Sequence, residues 1–118
     1  MAPYIRELPL ARNELPTSVQ HLIRQHFDSA VDVETLLLLQ RDLGDWTPAA
    51  VARELRINID QARDVLIRLR RTGLLRAAGG AYQFDPDDPA LAGAAATLAR
   101  LYPTYRLAVV SLIYRAPS

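Results

Sequence analysis

The chain has 118 residues, which is enough for one domain with a modest core and too few for two. Half of the residues are hydrophobic and 23% are charged, which excludes an intrinsically disordered chain. The net charge of +1 excludes a polycation, and the lack of cysteine excludes disulfides, thiol nucleophiles and cysteine-ligated metal sites.

The N-terminal residues 1–16 contain three prolines and no regular hydrophobic period, so we predict an extended arm there. Prolines and charges stand where a signal peptide has an apolar run. No apolar run in the chain reaches the roughly 20 residues that a bilayer requires. We therefore expect a cytoplasmic protein with no membrane partner.

Two helices are predicted after this arm. The first covers residues 19–27 and has Thr17 or Ser18 as its capping residue. The second covers residues 32–42, and Gly44 is predicted to terminate it. Its run of four leucines is apolar on all sides, which is typical of a helix at the centre of a domain.

Two further helices follow, separated by a short turn. Thr47 and Pro48 predict the start of the third helix, because a capping hydroxyl precedes a proline in the first helical position. Asn58 is predicted to cap the fourth helix, which reaches about Thr72 and closes at Gly73 in the left-handed conformation.

Two short strand-like runs, 74–77 and 81–84, flank a glycine turn and predict a β-hairpin. Residues 90–114 are helical in pattern, and Pro103 predicts a kink or a break near Tyr102. The resulting fold class is mostly α with a small β-hairpin.

The last helix carries an apolar stripe whose spacing alternates between four and three residues, as in a coiled-coil seam. Such a stripe favours pairing with a second copy of the chain, and the alternative is packing against the first helices of its own chain. The predicted dimerisation residues are Leu91, Ala95, Leu98, Tyr102, Tyr105, Val109 and Leu112.

Residues 47–58 resemble the first helix and turn of a winged helix-turn-helix domain, and residues 59–75 resemble its recognition helix running into the wing. Over roughly residues 30–84 the chain resembles small bacterial transcriptional regulators of the MarR/PadR type. The positions that match the core and the closing glycine of this family are Leu55, Ile57, Ala62, Leu66, Leu69, Gly73 and Leu74.

The resemblance implies a winged helix-turn-helix plus a long C-terminal helix. Its parts are an arm over 1–16, the winged domain over 17–88 and a dimerisation helix over 89–118. It also implies a homodimeric regulator that binds double-stranded DNA, with the recognition helix in the major groove and the wing on the flanking backbone. The candidate DNA-binding residues are Arg53, Arg56, Asn58, Gln61, Arg63, Asp64, Ile67, Arg68, Arg71, Arg76, Gly79 and Gly80.

The charge distribution favours this interpretation, because residues 53–76 hold seven arginines and three acids. The outward face of the recognition helix complicates it, since Asp60, Asp64 and Ile67 are expected there, and phosphate repels carboxylates. Some arginines are also within reach of acids on the same helix, Arg63 of Asp60 and Arg68 of Asp64. The alternative function is therefore a winged-helix module that binds a protein partner and no DNA.

No pattern in the sequence indicates an enzyme, a cofactor or a metal site. His21 and His26 are five residues apart, and helical metal ligands need a spacing of three or four. Asp85, Asp87 and Asp88 lie in a proline-broken loop, where capping of the last helix explains them better than calcium does.

Overall fold

The computed structural model describes residues 15–114, and in this part of the chain it confirms the mostly helical fold with one small β-hairpin. The predicted N-terminal arm lies outside the described residues except for its last two, and so do residues 115–118. The elements in chain order are α1 (Thr17–His26), α2 (Ala30–Arg41), α3 (Pro48–Leu55), α4 (Ile59–Arg71), β1 (Leu75–Ala78), β2 (Ala81–Phe84) and α5 (Pro89–Tyr114).

The first two helices start earlier than the sequence predicts. The prediction that Thr17 or Ser18 caps α1 is wrong, because Pro16 holds the capping position and no side chain caps the helix. The backbone carbonyl of Pro16 accepts hydrogen bonds from the amides of Val19 and Gln20, both at 3.0 Å. The bond from Gln20 is the regular first bond of the helix, and the bond from Val19 pairs an amide that a capping side chain would otherwise serve.

Helix α2 ends at Arg41, within one residue of the predicted end, but the prediction that Gly44 terminates it is wrong, because Asp42 is its C-terminal cap. The indole nitrogen of Trp46 donates to the carbonyl of Asp42 at 2.8 Å. This side chain satisfies a carbonyl at the helix end, which is the task that a left-handed glycine commonly performs. Gly44 instead lies in the following loop with a φ of 136°.

The turn between α3 and α4 forms as the sequence predicts. Thr47 Oγ1 accepts from the amide of Ala50 at 3.1 Å at the start of α3. Asn58 Oδ1 accepts from the amide of Asp60 at 2.7 Å at the start of α4. Between them Arg56 takes the left-handed conformation with a φ of 58°, so the chain turns sharply between the two helices.

Gly73 closes α4 as predicted, with a φ of 90°. The amide of Leu74 donates to the carbonyl of Leu69, and the amide of Gly73 donates to the carbonyl of Arg70, both at 3.1 Å. These two bonds form a Schellman motif. The chain turns there and leads directly into β1.

Strands β1 and β2 pair antiparallel, with Leu75 opposite Phe84 and Ala78 opposite Ala81. Trp46 adds an isolated antiparallel bridge on the other side of β2, because its amide and carbonyl each pair with Tyr82 at 2.8 Å. Trp46, two residues before α3, is thereby fixed against the hairpin, which connects the hairpin to the start of the helical pair.

The core lies between α1, α2, α4 and α5. Val19, Leu36, Leu66 and Leu98 are all fully buried there. Helix α5 packs along α1 and also contacts α2. It deviates from helical geometry at Tyr105, two residues after the proline and close to the predicted kink.

Candidate nucleic-acid interface

Helix α4 presents one face to the core and the opposite face to solvent. Its inward residues are fully buried or nearly so, and they are Ala62, Val65, Leu66 and Leu69. Asp60, Asp64 and Arg71 are exposed on the other side, and Ile67 beside them is half-buried. The face expected from the sequence is therefore the one that α4 exposes.

Arg68 forms an ion pair with Asp32 and not with Asp64. Its guanidinium donates to Asp32 through Nη2 at 2.7 Å and through Nε at 3.2 Å. Asp32 lies 36 residues earlier in the chain and is fully buried in α2. The sequence predicts Arg68 as a DNA contact. In the structure its guanidinium is instead paired with Asp32, and this ion pair joins α4 to α2.

The carboxylate of Asp32 has further donors at the α1–α2 junction. The amide of Asp28 donates to it at 2.7 Å and the hydroxyl of Ser29 donates at 3.3 Å. The hydrogen bonds with Asp32 are the main cause that raises the pKa of Arg68. This buried carboxylate is therefore both paired with a cation and satisfied by hydrogen bonds, which is the condition for burying a charge.

Arg63 forms the expected pair with Asp60, with Nη1 at 2.9 Å from Oδ1. Both side chains are substantially exposed, so this pair contributes little to stability. Asp60 nevertheless offsets the positive charge of Arg63 at the N-terminal end of the exposed face.

The predicted wing arginine is also paired within its own chain. Arg76 donates to Gln83 Oε1 on the opposite strand at 2.6 Å, and its Nε lies 3.4 Å from the carboxylate of Asp85. Gln83 in turn donates to Asp45. The hairpin tip, where Gly79 and Gly80 have positive φ values, remains open, because a Cβ at either residue would meet no described residue within 4 Å other than its chain neighbours.

Four arginines near α4 have no ion pair with the residues that the structure describes: Arg53, Arg56, Arg70 and Arg71. Arg53 and Arg56 lie before α4, at the end of α3 and in the turn, whereas the other two are the last residues of α4. Unpaired cations therefore stand at both ends of the exposed helix. Arg70 is not among the candidates predicted from the sequence, and its i,i+3 spacing from Ile67 is the signal that would have included it.

The other predicted DNA-binding residues are Asn58 and Gln61, and both are exposed near the start of α4. Asn58 uses its side-chain oxygen to cap the helix, so its amide nitrogen is the group left for a ligand. Gln61 lies one turn further on.

The apolar stripe of α5 packs inside its own chain, which is the alternative that the sequence leaves open. Ala95, Leu98 and Val109 are fully buried against the other helices, chiefly α1. Tyr102 and Leu112 are also buried, at 8% and 6% exposure, whereas Leu91 and Tyr105 are half-buried. The five buried residues are already covered, so a dimer contact cannot use them without opening the domain. The predicted dimerisation surface is corrected in this respect. The exposed large apolar residues of α5 are Leu107 and Tyr114, at 79% and 62% exposure.

Both histidines lie in α1. Among the described residues no group of three or more His, Cys, Asp or Glu side chains could hold a metal ion. His26 lies near Asp87, and its buried Nδ1 has no hydrogen-bond partner within residues 15–114. Burial lowers the pKa of His26, and the charge of Asp87 opposes this shift.

Comparison with protein-family models, with curated proteins and with solved structures gives no match for this chain. Within residues 15–114, none of the helices is both long enough and apolar enough to cross a membrane. We therefore infer the function from the geometry and charge of the site itself.

Proposed function

We propose that the chain is a DNA-binding transcriptional regulator, built on a winged helix-turn-helix and acting as a homodimer. The observation that supports this best is the exposed face of α4, which has unpaired arginines at both ends and a hairpin beside it. Helix α4 would enter the major groove, and the hairpin around Gly79 would lie on the flanking backbone. A cytoplasmic location belongs to the same proposal, because the DNA of a bacterial cell lies there.

The dimensions of α4 support this arrangement. Its 13 residues span about 20 Å, and the major groove is about 12 Å wide. Arginines at the two ends of such a helix can therefore reach phosphates on both sides of the groove. Arg56 and Arg71 are the residues that we assign to these contacts.

The experiment is a titration of a fluorescent random-sequence duplex by anisotropy, repeated over a range of salt concentrations. Arg71→Ala should weaken binding on every duplex and reduce the salt slope by about 1. Arg100→Ala is the matched control, since Arg100 is an exposed arginine of α5 without an ion pair among the described residues. Equal slopes for the two variants would contradict the assignment of Arg71.

The second candidate is a winged helix that binds a protein and no DNA. Two observations favour it. Arg68 and Arg76 form ion pairs with carboxylates of their own chain, and the outer face of α4 carries carboxylates. A pull-down from lysate with and without nuclease distinguishes the protein-binding function from the DNA-binding function. A partner that stays bound after nuclease treatment, together with no duplex affinity at low salt, would favour this candidate over the regulator.

A further inference from the structure

The middle of the exposed α4 face carries an acceptor and an apolar group. Asp64 is exposed and forms no ion pair with the described residues. Ile67 is half-buried and lies about one turn further along the same side. The neighbouring cations Arg63 and Arg68 are held by carboxylates of their own chain. The groups free to meet a base at mid-helix are therefore a carboxylate and a branched hydrocarbon.

These two groups match pyrimidines and do not match guanine. Guanine offers only acceptors in the major groove and is read by arginine or lysine donors. A carboxylate can only accept, and in the major groove both cytosine N4 and adenine N6 are amino donors. Adenine carries the acceptor N7 beside N6, which repels a carboxylate, so cytosine is the better partner. A branched apolar side chain fits the C5 methyl group of thymine.

We propose that α4 reads a pyrimidine step, in which Asp64 accepts a hydrogen bond from the N4 amino group of a cytosine and Ile67 contacts the methyl group of an adjacent thymine. This inference rests on the proposed DNA-binding function and specifies the sequence that such a regulator selects.

The spacing of the two residues agrees with adjacent bases. They are three positions apart, which is about 4.5 Å along a helix axis, and successive base pairs are about 3.4 Å apart along each strand. Arg70 and Arg71 follow Ile67 within a turn and supply the phosphate contacts that hold the helix in place. They also offset the repulsion between Asp64 and the backbone.

The first test selects duplexes from a pool with a randomised centre, using wild type and the variant Asp64→Asn. Wild type should enrich cytosine next to thymine on one strand, by about tenfold over the same duplex with that cytosine replaced by adenine. Asp64→Asn should lose the cytosine preference and favour adenine, because asparagine pairs with the N6 and N7 edge of adenine.

Glu54→Gln is the charge-matched control for this variant. Glu54 is an exposed carboxylate of α3, so its loss changes the net charge by the same amount without touching the α4 face. Glu54→Gln should bind all duplexes somewhat more tightly and keep the wild-type order of preference. Asp64 is exposed and unpaired, so Asp64→Asn should keep the wild-type melting temperature.

The second test replaces thymine by deoxyuridine in the selected duplex, which removes only the methyl group. Wild type should lose affinity several-fold, and Ile67→Ala should bind the two duplexes equally. The proposal is overturned if wild type and Asp64→Asn select the same bases, or if deoxyuridine has no effect on wild type. Wild type that binds every duplex equally overturns base reading and leaves DNA binding standing, whereas no binding to any duplex overturns both.

Discussion

Among single residues, Arg68 and Asp32 form the interaction whose loss we expect to cost most. Arg68→Leu would leave the fully buried carboxylate of Asp32 without its cation, so the free energy of unfolding should fall by about 3 kcal/mol. Asp60→Asn is the comparison, since it breaks an exposed pair and should cost less than about 1 kcal/mol. Urea denaturation measures both, and equal losses would show that the buried pair is not structural.

His26 gives the protein a pH-dependent stability. Its pKa is lowered by burial, so the folded state binds fewer protons than the unfolded chain once the pH falls through the unfolded value of about 6.5. Its contribution to stability is complete above that pH and declines as the pH falls below it. Chemical denaturation between pH 8 and pH 5 should show a smaller loss for His26→Gln than for wild type.

His21→Gln is the control for this measurement. His21 lies about one turn earlier, on the exposed side of α1. It controls for the loss of an imidazole from the same helix. If the His26 and His21 variants gave the same curve, burial of His26 would not be the cause.

At the scale of whole elements, the end of α4 depends on Gly73. Its φ of 90° is unfavourable for any L-residue, and a Cβ there would meet Asp87 Oδ2 at 2.6 Å. Gly73→Ala should therefore lower the free energy of unfolding by about 2 kcal/mol, measured by thermal melting. Gly93→Ala should raise it by about 0.5–1 kcal/mol, because Gly93 is helical and a Cβ there has open space.

The two substitutions are expected to change the free energy of unfolding in opposite directions. An error common to both melting experiments therefore cannot produce the expected result. A stabilising Gly73→Ala would contradict the left-handed closure of α4. It would also mean that this turn does not set the path from α4 into the hairpin.

Local features at this scale could be predicted from the sequence. Thr47, Pro48, Asn58 and Gly73 act on residues within a few positions of themselves, so their patterns predicted the structure correctly. The role of Gly44 at the end of α2 was predicted wrongly, because the group that pairs with the carbonyl of Asp42 is the Trp46 indole, which a helix-end rule does not consider.

Contacts between residues far apart in the sequence could not be predicted from a helical wheel. A wheel shows Asp64 near Arg68 and cannot show Asp32, which the fold brings there from 36 residues away. For the same reason an apolar stripe on α5 has the same appearance whether it packs on its own chain or on a second copy. The wheel did place the exposed face of α4 correctly, because that face depends only on the helical period.

For the molecule as a whole, the proposed homodimer requires a surface other than the buried α5 stripe. We predict that it uses the outer side of α5, where Leu107 is 79% exposed. Leu107→Glu should convert a dimer into a monomer in sedimentation velocity at tens of micromolar, while its circular dichroism spectrum stays that of the folded wild type. A wild-type monomer at that concentration would contradict the dimer.

Binding of DNA by the exposed face of α4, through arginines on phosphates, is the proposal on which the others rest. It is tested by the affinity of the wild-type chain for duplex DNA between 50 mM and 200 mM salt. If the four unpaired arginines contact phosphates, the affinity should fall by roughly 100-fold over this range for each bound chain. No binding at 50 mM salt, or an affinity that does not change with salt, would contradict DNA binding by this face.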